Sequence, residues 1–184
     1  KLIQFKGKLS IVAKERINNE IRRIVKGENA LESILLIRKF NIFSLENFYR
    51  DKSFLDLKKI NYEELNQNEK KKFLFLFFLS QILDSSSLEK YKFSKDEILK
   101  IKLLKKWHLI VQKTNILRLN ELERFQLHQE LEDILPSFIF YLPQNLRLDW
   151  LNRWRNRDDK LFHPSNLING DVLKKYLNVK DGPL

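Results

Sequence analysis

The chain has 184 residues, no cysteine and a formal net charge of +11 at pH 7. The absence of cysteine excludes disulfides and thiolate chemistry, and the surplus of lysine and arginine favours a polyanionic partner, with nucleic acid ahead of an anionic membrane surface. Only four glycines and four prolines are present. These are too few turn residues for a strand-rich protein, so we expect an all-α fold.

Two helices are predicted in the first segment, over about residues 9–43. Between Ile17 and Val25, apolar residues recur at the spacing of one buried helical stripe. Gly27 is placed to end this first helix. The second helix follows in "NALESILLIRKF".

The middle of the chain is predicted to be helical with one loop. The most apolar run, "FLFLFFL" at 73–79, is too short to cross a bilayer, which needs about 20 residues, and indicates a buried helix. The serine-rich stretch "DSSSLEKYKFS" is predicted to be a loop. Ser94 and Glu97 then form a capping-box pattern, which opens a helix over about 95–113.

The last segment contains a second capping-box pattern at Asn120 and Glu123, again at the start of a predicted helix. A further helix is predicted in "QNLRLDWLNRWRNRDD". Trp150 and Trp154 lie one turn apart in it. Helical spacing favours core packing of these tryptophans, and stacking on nucleic-acid bases is the alternative.

The closing stretch, "NGDVLKKYLNVKDGPL", indicates a short helix followed by a turn. Gly182-Pro183 favours entry into another helix, because proline is tolerated at a first helical position. The pattern is that of the first half of a helix–turn–helix unit. Since the sequence stops where the second helix should begin, we expect these residues to belong to a longer protein.

Catalytic groups are largely missing from this sequence. It has no Asp-x-Asp pair, which metal-dependent nucleotidyl transfer uses to hold two divalent ions. Asp158 and Asp159 are adjacent, so we expect capping or pairing with nearby arginines instead of metal binding. His108, His128 and His163 show no ligand-like spacing. We therefore predict no catalytic residue, no metal site and no cofactor in this stretch.

Basic residues are concentrated in three places. Residues 1–27 carry eight lysines and arginines against two glutamates, residues 90–118 carry nine against two acids, and three arginines follow the tryptophans near 150–157. Cations on rigid helices can follow a phosphate backbone and release its counterions. The candidates for RNA contact are Lys8, Lys14, Arg22, Arg23, Lys26, Lys95, Lys102, Lys106, Lys113, Arg153, Arg155 and Arg157.

The first helices resemble the neck of the class II CCA-adding tRNA nucleotidyltransferases and of the related bacterial poly(A) polymerases. That family has an E-R-I/M-x-x-E element followed by a Gly or Asn break, and here "ERINNE" at 15–20 is followed by Gly27. The far end is similar to the family's tail pattern. It contains His163-Pro164, "GDVL" at 170–173 and Gly182-Pro183, in matching order.

The resemblance implies an elongated multi-helix array with a neck-like part at 1–43, a helical body at 44–118 and a tail-like part at 119–184. Arg16 and Glu20 would brace a nucleotide-selecting helix, and the body and tail would bind tRNA or another structured RNA. No DNA and no membrane partner is expected, and the protein would be cytoplasmic.

The same resemblance places the chemistry elsewhere. Family members carry a catalytic head before the neck, and the head holds Mg²⁺ and uses CTP and ATP, or ATP alone. By this comparison the chain is the C-terminal portion of a nucleotide-adding enzyme and has its own head as a partner. Whether the parent adds CCA, CC, A or a poly(A) tail stays open, as does the oligomeric state.

Two other functions compete with RNA binding. The chain could be a helical adaptor that binds protein, with its charges simply solvated, and a large exposed apolar patch would favour that function. It could also be a peripheral membrane module with phenylalanine and lysine faces on an interfacial helix.

Overall fold

All-α architecture is confirmed. The computed structural model describes residues 11–43, 57–60, 62, 65–164 and 175–177, and these ranges contain helices, turns and bends but no strand. Their α-helices are α1 (Lys14–Lys26), α2 (Ala30–Lys39), α3 (Gln67–Ile82), α4 (Ser85–Lys90), α5 (Lys95–Thr114), α6 (Glu121–Leu131), α7 (Leu135–Ile139) and α8 (Gln144–Arg155). Short 3₁₀ turns lie at Leu57–Lys59, Ile116–Arg118 and Glu132–Ile134.

Local capping sets where the long helices start. Ser94 caps α5 and Asn120 caps α6, and in both the third helical residue is a glutamate that bonds back to the cap. These two capping boxes were predicted. A third one, Asn66 with Glu69, opens α3 and was not predicted. Each box satisfies backbone N–H groups that the first turn of a helix leaves without partners.

Helix α3 is the central element and confirms the expected buried helix. Its phenylalanine-rich run is apolar on nearly every side, and Phe73, Phe77 and Leu79 are buried. The helix packs against α1, α2, α5 and α7. Apolar burial on all sides is the usual reason for such a run in a globular protein.

The serine-rich stretch is not the loop that its composition predicted. Residues 85–90 form α4, because the Asp84 carboxylate accepts the Ser87 N–H at 2.7 Å and so caps the helix. Leu88 is fully buried beneath it. The cap and one buried leucine outweigh the turn preference of three consecutive serines.

The buried side chains form one continuous core that reaches from Ile17 to Phe162. It therefore includes residues from all three segments expected from the resemblance. Trp150 and Trp154 are half-buried against this core, as their helical spacing predicted. Of the predicted closing helix and its turn, the structure describes only residues 175–177, which are helical. The rest of this prediction lies outside the described residues.

Candidate nucleic-acid interface

The first turns of α3 meet the last turn of α8. The Arg155 guanidinium donates to both carboxylate oxygens of Glu69, at 2.9 and 2.8 Å. The Trp154 ring meets Phe73 in a T-shaped contact with centroids 4.8 Å apart. Two segments more than 80 residues apart in sequence are thereby held side by side.

This contact creates a basic cluster, which we call the α3–α8 cluster. Lys72 of α3 and Arg157, which follows the end of α8, share the Trp154 ring, and Lys70 and Lys71 directly precede Lys72 on α3. Most of the basic side chains at this junction are exposed. Its members are Lys70, Lys71, Lys72, Arg155 and Arg157. Glu69 offsets one of the five charges, so a positive excess remains at this junction.

Two cations of the cluster lie over the Trp154 ring. The Lys72 ammonium is 6.0 Å from the ring centroid and the Arg157 guanidinium is 5.6 Å from it. Both side chains are exposed, and neither has an ion pair with a carboxylate in the part of the chain that the structure describes. Cation–π contacts at exposed sites contribute only about 0.5–1 kcal/mol each.

A second junction joins α1 to α5. The Arg22 guanidinium donates to both oxygens of Glu97 at 2.7 Å, and its Nε donates to Asn18 at 2.6 Å. Asn18 in turn donates to the carbonyl oxygen of Tyr91. Residues 11–27, the described part of the first basic stretch, are therefore neighbours of the stretch at 90–118, but Arg22 itself is engaged in holding them together.

Burial alone raises the pKa of the Glu97 carboxyl, and the hydrogen bonds from Arg22 and Ser94 outweigh this effect, so the pKa lies below its ordinary value. At Glu69 the hydrogen bond from Arg155 dominates and also lowers the pKa. Both glutamates are capping-box residues as well. Each therefore stays ionised at neutral pH while it ties its own helix to another.

The predicted RNA-binding residues fall into two groups. Ion pairs with carboxylates hold Arg22, Arg23, Lys102, Lys106, Arg153 and Arg155. Within the described ranges, Lys14, Lys26, Lys95, Lys113 and Arg157 make no such pair. Lys8 lies outside the described residues. The structure thus separates cations that are already neutralised from cations that face solvent without a carboxylate.

Two lysines of α5, Lys102 and Lys106, are paired with glutamates. The Lys106 ammonium contacts both oxygens of Glu130 on α6, at 2.8 and 2.7 Å. Trp107 Nε1–H donates to the same carboxylate at 2.8 Å. The Lys102 Nζ lies 3.7 Å from Oε1 of Glu89. A polyanion that bound here would have to compete with these glutamates.

Arg16 and Glu20, the expected bracing pair, both line an apolar groove between α1 and α2. The two do not pair with each other. Glu20 instead accepts from Arg23 at 3.3 Å. The expectation that Arg16 and Glu20 support a neighbouring helix stays a prediction, since only their position beside the groove is seen.

Asp159 pairs with an arginine, which was expected for the Asp158-Asp159 step. Its carboxylate accepts from Arg153 Nε at 2.8 Å and from the backbone N–H of Leu161 at 3.1 Å. His108 is buried, and its ring centroid lies 4.5 Å from that of Tyr141. His163 lies in a turn, where its Nε2 bonds to the carbonyl oxygen of Trp154.

The lysine run of α3 was missed as a candidate. Its signal is visible in the sequence as "EKKK" at 69–72. In the sequence this run is simply the polar approach to the apolar segment that begins at Phe73, with no arginine beside it. Trp154 and Arg155 come from α8, and Arg157 comes from the turn after it; they join the lysine run only through tertiary packing.

No metal site is seen in the ranges that the structure describes. Among the described residues, no group of three or more His, Asp and Glu side chains is placed to hold an ion. No helix in these same ranges combines the length and apolar character that crossing a bilayer requires.

We compared the chain with protein-family models, with curated proteins and with solved structures, and it matches none of them.

Proposed function

We propose that this protein binds structured RNA, with tRNA as the first candidate, through the α3–α8 cluster. The observation that carries the proposal is the meeting of the α3 lysine run with Arg155 and Arg157. Helices α3 and α8 hold the lysines and Arg155, and Arg157 lies in the turn after α8. Lys71, Lys72 and Arg157 have no carboxylate partner among the described residues. Such an arrangement suits a phosphate backbone, whose binding is driven by release of counterions. A-form RNA offers phosphates and 2′-hydroxyls more readily than base edges.

The role in the whole protein follows from the resemblance at both ends of the sequence. We propose that the chain is the C-terminal portion of an enzyme that adds nucleotides to RNA 3′ ends, and that it positions the RNA for a head that holds Mg²⁺ and the nucleotide. Finding a Glu-Asp-x-x-Arg element and, before it, an Asp-x-Asp pair just upstream in the gene would support this role. Their absence would contradict it.

RNA binding can be tested by titrating tRNA at several salt concentrations. If about five phosphates are contacted, the logarithm of affinity should fall against the logarithm of salt with a slope of roughly −4. A flat response, or no binding at low salt, would contradict the proposal.

Two charge-matched double variants locate the interface. Lys71→Gln with Lys72→Gln removes two cations of the α3–α8 cluster, and each lost phosphate contact should reduce the salt slope by about 1. Lys102→Gln with Lys106→Gln removes two cations that glutamates already offset, and it should leave the slope nearly unchanged. Equal losses from both variants would show that net charge, and not this cluster, drives binding.

A protein-binding adaptor is the second candidate, and one observation favours it. On α6, Leu122 is 66% exposed and Phe125 is 63% exposed, which places two large apolar side chains one turn apart on the surface. A defined protein that cross-links to this face, and no longer does so after Leu122→Ser with Phe125→Ser, would support the adaptor function. The same variant should leave tRNA affinity unchanged if RNA is the partner.

A further inference from the structure

Trp154 differs from the other two tryptophans in its surroundings. Trp107 is 2% exposed and its indole N–H bonds to Glu130. Trp150 is stacked on His128, with centroids 5.6 Å apart, and meets Phe162 edge-on. Trp154 is half-buried like Trp150, but two exposed cations lie over its ring. It is therefore the tryptophan whose neighbours can be displaced.

Packing holds the indole of Trp154 in place. Phe73, which is 1% exposed, meets it at an interplanar angle of 82°. In the turn that follows, His163 donates a hydrogen bond from Nε2 to the Trp154 carbonyl oxygen. A ring fixed in this way loses little side-chain freedom when a ligand covers it.

The cations over the ring, in contrast, can move. Lys72 and Arg157 are long, exposed side chains, and their contact with the ring is of the weak, solvent-exposed kind. A base that stacked on the indole would replace them with a stronger contact. The displaced ammonium and guanidinium groups would then lie beside the phosphates that flank that base.

We infer that Trp154 is a stacking position for an unpaired nucleotide of the bound RNA, with Lys72 and Arg157 on the adjoining phosphates. The inference rests on the proposed function and specifies its ligand as a duplex that continues into a single strand. A continuous A-form duplex keeps its bases stacked on one another and offers none to an outside ring. Stacking on an indole is tolerant of sequence, so no particular base is required.

The test uses two hairpin RNAs with the same stem. One ends bluntly, and the other carries a short single-stranded 3′ extension that contains 2-aminopurine. The full chain should bind the extended hairpin about tenfold more tightly than the blunt one, and the 2-aminopurine fluorescence should be quenched on binding. Trp154→Leu should abolish both the preference and the quenching while it keeps blunt-hairpin affinity and its salt slope.

Trp150→Phe is the matched control, and it should keep the preference and the quenching. Because Trp154→Leu could loosen the fold, Trp154→Tyr retains an aromatic face and should keep most of the preference, and circular dichroism checks both variants. Equal affinity for the two hairpins, or unquenched 2-aminopurine in the bound wild-type complex, would overturn the inference and leave RNA binding itself standing. Failure of both hairpins to bind at low salt would overturn the proposed function.

Discussion

Replacing Arg22 by alanine should strongly destabilise this protein, even though Arg22 was predicted to be an RNA contact. Its guanidinium makes two 2.7 Å bonds to Glu97 and one bond to Asn18, and it lies 5.0 Å from the centroid of the Phe93 ring. The side chains of Arg22 and Glu97 are 31% and 16% exposed. The pair is thus neither a surface pair nor a fully buried one.

The size of the effect follows from that intermediate burial. Exposed ion pairs contribute about 0.2–1 kcal/mol, and breaking a buried pair costs about 3–5 kcal/mol. For a half-buried, bidentate pair with a further bond to Asn18, we expect Arg22→Ala to cost about 3 kcal/mol. In a chain of this length that loss lowers the melting temperature by about 6–12 °C.

Thermal and urea unfolding followed by circular dichroism at the helix band measure this loss. Arg23→Ala is the matched control, because the Arg23–Glu20 pair is 79% and 56% exposed and should contribute at most about 1 kcal/mol. Arg22→Lys separates the predicted RNA contact of Arg22 from its structural role of binding Glu97. It keeps the charge that a phosphate would need but loses the fork that binds Glu97, so stability should fall by about 1–2 kcal/mol while tRNA affinity stays unchanged.

The Arg22 contribution also has a pH dependence of known sign. Since the pKa of Glu97 in the folded protein lies below its ordinary value of 4.5, the stabilisation is present above that pH and is lost as pH falls through the folded pKa. The gap between wild type and Arg22→Ala should therefore narrow below about pH 4.5. A gap that is constant with pH, or equal losses from Arg22→Ala and Arg23→Ala, would refute the reasoning.

Three further outcomes are expected. Glu69→Gln should raise tRNA affinity and steepen the salt slope by about 1, because it removes a carboxylate that offsets one charge of the α3–α8 cluster, while Gln can still complete the capping box. Filter binding measures the affinity, and a weaker affinity would contradict this expectation. Burial lowers the pKa of His128 to about 4, so His128 should stay neutral in the folded chain down to that pH. Between about pH 6.5 and 4, the free energy of unfolding should therefore fall with decreasing pH by up to about 1.4 kcal/mol per pH unit. Urea unfolding of wild type and His128→Gln compares the two slopes, and identical slopes would exclude His128 as the cause. Asp84→Ala removes the acceptor of the Ser87 N–H and should lower the free energy of unfolding by about 1 kcal/mol. Amide hydrogen exchange should become faster in α4 alone, and unchanged exchange there would show that the cap is dispensable.

Helix class and most helix starts could be predicted from the sequence alone. Scarcity of glycine and proline, apolar spacing at 17–25 and the capping boxes at Ser94 and Asn120 all depend on residues within four positions of one another. Such signals act through the geometry of a single helix turn, so they can be interpreted without a tertiary structure. The helix at 85–90 was wrongly predicted to be a loop for two reasons. The Asp84 cap on Ser87 is a local signal that the serine-rich composition concealed, whereas Leu88 is buried against the core only after the chain has folded.

The candidate site could be predicted only in part. The sequence indicated the arginines at 153–157 and the basic stretches, but it contained no information on which cations would meet a carboxylate. The partners of Arg22 and Arg155 are 75 and 86 residues away, and the lysine run of α3 joins Trp154 through the same packing. Charge and helicity are properties of composition and local spacing. Tertiary packing decides the distances between charges, and these distances determine whether a cation stabilises the fold or remains open to a polyanion.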